Sequence, residues 1–173
     1  MATKRLKNGK YGVTELRLPE NIEVKVQDIE WGELTELENG MFVKYEPRTN
    51  KISKGAVATD DVYFVHSVPK IYDGCSSSSE YVMTPDGFLP RLIRFGKGSI
   101  IATDNIIVDS SEFANYEAIA TALKTQSVYG FLDDETQVMK VSKTKTDDEV
   151  VLFEITAVTT MKTGELGVEA VRI

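Results

Sequence analysis

A chain of 173 residues, 42% hydrophobic and 27% charged, can hold one domain with a sizeable core or two very small ones, and its composition excludes disorder as the default. Its formal charge of −7 excludes the clustered cations on which phosphate-backbone binding depends, so nucleic acid is not an expected partner. One cysteine excludes an internal disulfide, and no apolar run is long enough to cross a bilayer as a helix; the expectation is a protein made in a reducing cytoplasm, away from the membrane.

Residues 1–20 carry Lys4, Arg5, Lys7, Lys10 and Arg17 against only Glu15 and Glu20. Apolar residues are sparse there, and Asn8-Gly9 and Gly12 favour turns. The segment reads as a basic N-terminal arm, loosely ordered by itself and able to become ordered on an acidic partner, ahead of a β-rich body over 21–173. In the body, Ile22-Glu23-Val24-Lys25-Val26-Gln27 alternates strictly and predicts a half-buried strand. Trp31, beside Gly32, reads as a packing residue. Glu38-Asn39-Gly40 predicts a tight turn into a strand over Met41–Tyr45, and Pro47–Lys51 turns the chain back to Ile52. Val62–Val68 is a further strand, and Asp73–Ser79 a Ser-rich loop.

Pro85-Asp86-Gly87 is a turn at the midpoint of the chain, because proline presets φ and glycine accepts a positive value. The apolar run Phe88–Phe95 follows, Gly96-Lys97-Gly98 breaks it, and Ser99–Thr103 and Asn105–Asp109 are extended. Ser110-Ser111-Glu112 offers an N-cap to the one helical candidate, Phe113–Lys124, where Phe113, Tyr116, Ala120 and Leu123 fall at helical spacing. Val128–Leu132, Gln137–Val141 and Val150–Val158 predict strands; in the last, Val151, Phe153, Ile155 and Ala157 share a face. Thr163-Gly164-Glu165 turns into a final strand ending at Ile173. The fold class is mainly β, a compact barrel or sandwich with one short helix near 112–124.

An internal echo raises the alternative of two similar small barrels, with halves at 21–108 and 126–173. Phe42-Val43-Lys44-Tyr45 followed by Lys51-Ile52-Ser53-Lys54 and Thr59-Asp60-Asp61-Val62-Tyr63-Phe64 has the same order of features as Tyr129-Gly130-Phe131-Leu132, Lys140-Val141-Ser142-Lys143 and Thr146-Asp147-Asp148 onward. Each reads as a hairpin, an acidic turn and a return strand. A chance match between turn-rich segments is the simpler account.

Catalytic chemistry has little to work with. His66 is the lone histidine and sits on an alternating strand, where packing is its expected role. Cys75 is nine positions further on in a Ser-rich loop, without an orienting carboxylate or a nucleophile turn. Phe95-Gly96-Lys97-Gly98-Ser99 lacks the glycine spacing of a phosphate loop. The acidic groups Asp60-Asp61, Asp133-Asp134-Glu135 and Asp147-Asp148-Glu149 lack the alternating ligands of a calcium loop and read as solvated turns. No enzyme activity, catalytic residue, cofactor or metal is expected.

The opening Met1-Ala2-Thr3-Lys4-Arg5-Leu6-Lys7-Asn8-Gly9-Lys10-Tyr11 resembles the short proteins encoded beside the major capsid protein in many tailed bacteriophages. So do Glu38-Asn39-Gly40-Met41-Phe42-Val43-Lys44-Tyr45 and Pro90-Arg91-Leu92-Ile93-Arg94-Phe95 through Ala102-Thr103-Asp104-Asn105. Gly98-Ser99 departs from the usual Gly-Asp of that pattern, and the Phe113–Lys124 helix resembles an addition to it. These proteins are head decoration, or cement, proteins. The resemblance implies a structural virion protein on the capsid exterior, with the major capsid protein as partner and self-association compatible with it. Lys4, Arg5, Lys7, Lys10 and Arg17 are then the candidate capsid-binding residues. A tail or neck virion component remains an alternative, as does a carbohydrate-binding module offering Trp31, Tyr45 and Tyr72 to a host surface.

Overall fold

The computed structural model describes residues 2–18, 23–25, 29–54, 62–67, 83–85, 90–145 and 151–173. These residues form two sheets and one short helix. Across the larger, eight-stranded sheet the order is β1 (Thr3–Leu6), β9 (Ile106–Asp109), β11 (Met139–Ser142), β10 (Val128–Leu132), β12 (Val151–Thr160), β13 (Leu166–Arg172), β8 (Ile100–Thr103) and β2 (Thr14–Leu18). The five-stranded sheet runs β3 (Glu23–Lys25), β7 (Leu92–Arg94), β6 (Val62–Val65), β4 (Phe42–Glu46) and β5 (Lys51–Ser53). Pairing is antiparallel except between β9 and β11. The mainly β class with one short helix is what the alternating pattern predicts.

Period-two alternation divides the five-stranded sheet between two cores. Phe42 and Phe64 point to one face and pack with Phe153, Ile155 and Val168 of the larger sheet. Val43, Tyr45, Tyr63 and Val65 point to the other face, where Ile29, Trp31, Leu34, Leu37 and Met83 cover them. The first core is stitched by rings: Phe42 lies 5.2 Å from Phe64 and 6.1 Å from Phe153, centroid to centroid. Tilted pairs of this kind add about 0.5–1.5 kcal/mol beyond burial. Trp31 takes the packing role expected of it, in the second core.

The chain path explains how the larger sheet is held. β1 and β2 are consecutive in sequence yet occupy its opposite edges, and β8 and β9 lie one strand in from each edge. Two short crossings therefore bridge the same gap: residues 7–13 between β1 and β2, and Asp104-Asn105 between β8 and β9. Among the described residues no ladder joins β1 to β2, so the arrangement is sandwich-like rather than a closed barrel or a pair of barrels.

Three sequence expectations are corrected here. The N-terminal arm is part of the body: Thr3–Leu6 pairs with Asp109–Ile106, and Thr14–Leu18 pairs with Thr103–Ile100. Alternation in this segment is masked by cations, but Leu6 and Val13 are buried and supply the apolar anchors. The helix is shorter than Phe113–Lys124. It spans Tyr116–Ala122 as α1, capped by Asn115, whose side chain accepts from Ala118 N. Ser110 and Ser111 belong instead to a turn where the Asp109 carboxylate accepts from Ser111 N and Oγ. In β12 the register slips between Ile155 and Ala157, so the shared face expected through Ala157 ends at Ile155.

The echoed segments have the same strand order, with the first strand of each in the middle: β5-β4-β6 and β11-β10-β12. The expected strand ends at Ile22, Val26-Gln27 and Val68, the loop Asp73–Ser79 with Cys75 and Tyr72, the Asp86-Gly87 turn and the acidic groups at 60–61 and 147–149 lie outside the described residues.

Candidate functional site: a buried polar hub

Most of the buried polar side chains collect at one place, where the two crossings meet the turn before β4. They are Thr14, Glu38, Asn39, His66, Ser67, Thr103, Asp104 and Asn105. Buried polar groups persist only when bonded, and nearly every one here bonds a different chain segment. Asn105 is central. Its Oδ1 accepts from Arg5 Nη2 at 2.7 Å and Nε at 3.0 Å, and its Nδ2 donates to Asn39 O at 2.8 Å. Asn39 in turn accepts from Ser67 N at 2.7 Å and donates to Ser67 O at 2.9 Å.

Two carboxylates fasten the 7–13 crossing. Glu38 accepts from Gly12 N at 2.7 Å and Lys7 Nζ at 3.0 Å, and pairs with the Arg5 guanidinium. Asp104 accepts from Val13 N at 2.6 Å and Asn8 N at 3.3 Å, while its own N–H and the Thr103 hydroxyl donate to Val13 O. The Tyr116 hydroxyl of α1 lies 3.1 Å from both Leu6 O and Asp104 O. Burial pushes the Asp104 carboxyl above its ordinary range, helped by Glu165 and opposed by the Val13 and Asn8 bonds. Burial, with Asp104 and Glu165 adding to it, also raises the Tyr116 phenol.

The hub is tight enough to demand glycine at two positions. A Cβ on Gly12 would lie 2.3 Å from Asn39 O and 2.4 Å from Asn105 Nδ2. Gly40 has φ +90, and a Cβ there would lie 2.7 Å from the Asn105 Cβ. Glu38-Asn39-Gly40 is thus the predicted tight turn, with its side chains turned inward as ties between segments.

His66 is packed, as expected, but β6 ends at Val65 and not at Val68, so His66 and Ser67 lie just beyond the strand. Its Nδ1 lies 2.6 Å from Thr14 Oγ1, and its N–H donates to Arg91 O. Burial first, and Arg91 second, hold the imidazole down at about 4. The pair is a hydroxyl beside an imidazole, but both are buried and a guanidinium, not a carboxylate, acts on the imidazole. That arrangement ties strands together and is unsuited to activating a nucleophile. Among the described residues no group of His, Cys, Asp or Glu side chains is placed to hold a metal ion.

The five cations singled out from sequence do not form one patch. Arg5 and Lys7 converge on Glu38. Lys4 Nζ donates to Ala114 O at 3.0 Å, and Lys10 Nζ sits 5.1 Å from the centre of the Tyr11 ring. Arg17, on the edge strand β2, faces the buried Glu15 Oε2 at 3.0 Å and reaches Thr160 O at the end of β12. Beside the hub an open cleft of about 290 Å³ is lined by Arg5, Tyr11, Glu36, Glu38, Lys54 and Glu135.

The residues missed from sequence are Glu38, Asn39, Thr103, Asp104 and Asn105 as a set. The signal was present in part, since all five lie in Glu38–Tyr45 and Ala102–Asn105, stretches that stand out in the sequence. Their meeting in space was not readable. No protein-family model matches the chain, and no curated protein or solved structure matches it either.

Proposed function

We propose that this chain is a structural virion protein that binds the outside of a phage capsid and decorates or stabilises the shell. The observation that carries the reading is the convergence of three stretches, around Lys4–Tyr11, Glu38–Tyr45 and Thr103–Asn105. Each resembles the head decoration proteins, and together they build one buried tie across both sheets. A shell protein needs a rigid body more than a reactive site, and the hub's polar groups are spent on rigidity. The acidic body keeps many copies soluble and apart until they meet their partner. Lys4 and Lys10 are the cations of the N-terminal segment bonded to a carbonyl and a ring rather than to a carboxylate. In this reading they meet acidic groups of the major capsid protein.

The reading is tested by imaging virions with and without the protein, and by binding purified protein to bare shells. Density lost over the whole shell is expected; density lost only at the tail would assign the protein to the tail or neck instead. The double variant Lys4→Gln/Lys10→Gln should bind shells several-fold more weakly at low salt, with the difference closing as screening shortens to about 8 Å at 0.15 M salt. Equal binding at low salt would remove these two lysines from the contact.

A further inference from the structure

Among the described residues, the hub holds one basic side chain that no opposite charge accompanies. His66 follows β6 and meets Thr14 of β2, the edge strand of the other sheet, at 2.6 Å. Both residues are buried, so the pair is a polar tie across the seam between the sheets. Among the described residues, the carboxylates packed around that seam are all directed elsewhere. On β2, Glu15 faces Arg17 and accepts from Lys162 N of the β12–β13 turn. Before β4, Glu38 is held by Arg5, Lys7 and Gly12 N. On the β8–β9 crossing, Asp104 is held by Val13 N and Asn8 N, with Tyr116 of α1 and Glu165 of the β12–β13 turn beside it. Arg91, entering β7, is the charge that acts on the imidazole.

We propose that His66 makes this seam acid-sensitive: protonating its imidazole opens the contact between β2 and the His66-Ser67 end of the five-stranded sheet, while the ladders within the larger sheet stay closed. An imidazolium in this position is a buried cation beside a guanidinium, with no carboxylate of the described residues aimed at it. Burying an unpaired charge is costly, and opening the seam hydrates it. Thr14 lies on an edge strand, so it can part from His66 without breaking the β2–β8 pairing. The sign follows from the imidazole being held at about 4, below its ordinary 6.5. A depressed histidine contributes stability that is present above 6.5 and is lost as the pH falls toward 4. Asp104 acts in the opposite sense, because a raised carboxyl binds its proton more tightly in the closed state.

Amide exchange, corrected for the intrinsic rate, tests this in the full chain. The N–H groups of His66 and Ser67 donate to Arg91 O and Asn39 Oδ1, bonds on the five-stranded side of the seam that its opening exposes to water. Their protection should fall about a hundredfold between pH 7 and pH 4, the change that lowering an imidazole from 6.5 to about 4 demands. Protection in β10 and β12 should hold. His66→Asn keeps an acceptor near the Nδ1 position and should flatten the pH dependence. Arg91→Gln, at an exposed side chain, should shrink it, and Asp104→Asn should leave it at least as large. Flat protection in the wild type overturns the proposal. So does a loss that survives in His66→Asn, or one that disappears in Asp104→Asn, which would assign the effect to the carboxylate. Should His66→Asn not fold, the imidazole's own titration by NMR decides: a value at or above 6.5 overturns the proposal.

Discussion

Asn105 shows how much a single side chain can organise. Its amide accepts two bonds from Arg5 and donates one to Asn39 O, so it joins β1, the turn before β4 and the β8–β9 crossing. Replacing it with alanine strips a buried carbonyl and a guanidinium of their partner at once. Asn105→Ala should therefore destabilise the protein by about 1–3 kcal/mol, the usual penalty for stranding a buried polar group, with the upper end expected because one partner is charged. Urea denaturation measures it. Asn105→Asp should not rescue the loss, since a carboxylate has no donor for Asn39 O. A loss below about 0.5 kcal/mol would mean that water replaces these bonds freely and the hub is not a tie.

At the scale of elements, the N-terminal segment is the one whose role changes most between sequence and structure. An arm lying outside the body could be removed without consequence. β1 and the 7–13 crossing instead bury Leu6 and Val13, pair with β9 and supply every donor bonded to Glu38 among residues 5–12. Deleting residues 2–10 should lower the thermal midpoint by several degrees. Losing Leu6 burial alone is worth about 1.5–3 kcal/mol, and the deletion also leaves Glu38 buried without its cations. An unchanged midpoint in a thermal scan would show that β1 adds nothing to the fold. α1 is the converse case. Seven residues are too few to be helical alone, so the helix persists through the Asn115 cap and the burial of Tyr116 and Ile119.

For the whole molecule, the question is whether two cores make two units. Phe42 argues that they do not. It shares β4 with Val43 and Tyr45 of the second core while its own ring touches Phe64 and Phe153 in the first. Phe42→Ala should cost about 3–5 kcal/mol, the range for emptying a buried aromatic site. Its effect should appear equally in Trp31 fluorescence, which reports the second core, and in far-UV circular dichroism, which reports both sheets. Coincident transitions by the two probes mark a single cooperative unit; a Trp31 transition that separates from the rest in the variant or the wild type would divide the molecule in two.

What the sequence determined by itself is the part of the fold set by local physics. Val128–Leu132 matches β10 end for end, because a short apolar run is bounded by polar residues on each side, Lys124–Ser127 and Asp133–Thr136. The Glu38–Gly40 and Thr163–Glu165 turns were legible because glycine there carries a positive φ, at Gly40 and Gly164. Local signals failed where a strand is polar on one side and paired at an edge on the other. Lys4 and Arg5 hide β1, because their cations are satisfied by Ala114 O, Glu38 and Asn105, groups far away in the chain. The tertiary structure alone decided that β1 and β2 take opposite edges of one sheet, and that Glu38, Asp104 and Asn105 turn inward. Nothing in the spacing of those residues signals burial, since an acidic or amide side chain in a turn is ordinarily solvated. Their charge and polarity become tolerable inside only because donors from residues 5–13 arrive there, and that arrival is set by the path of the whole chain.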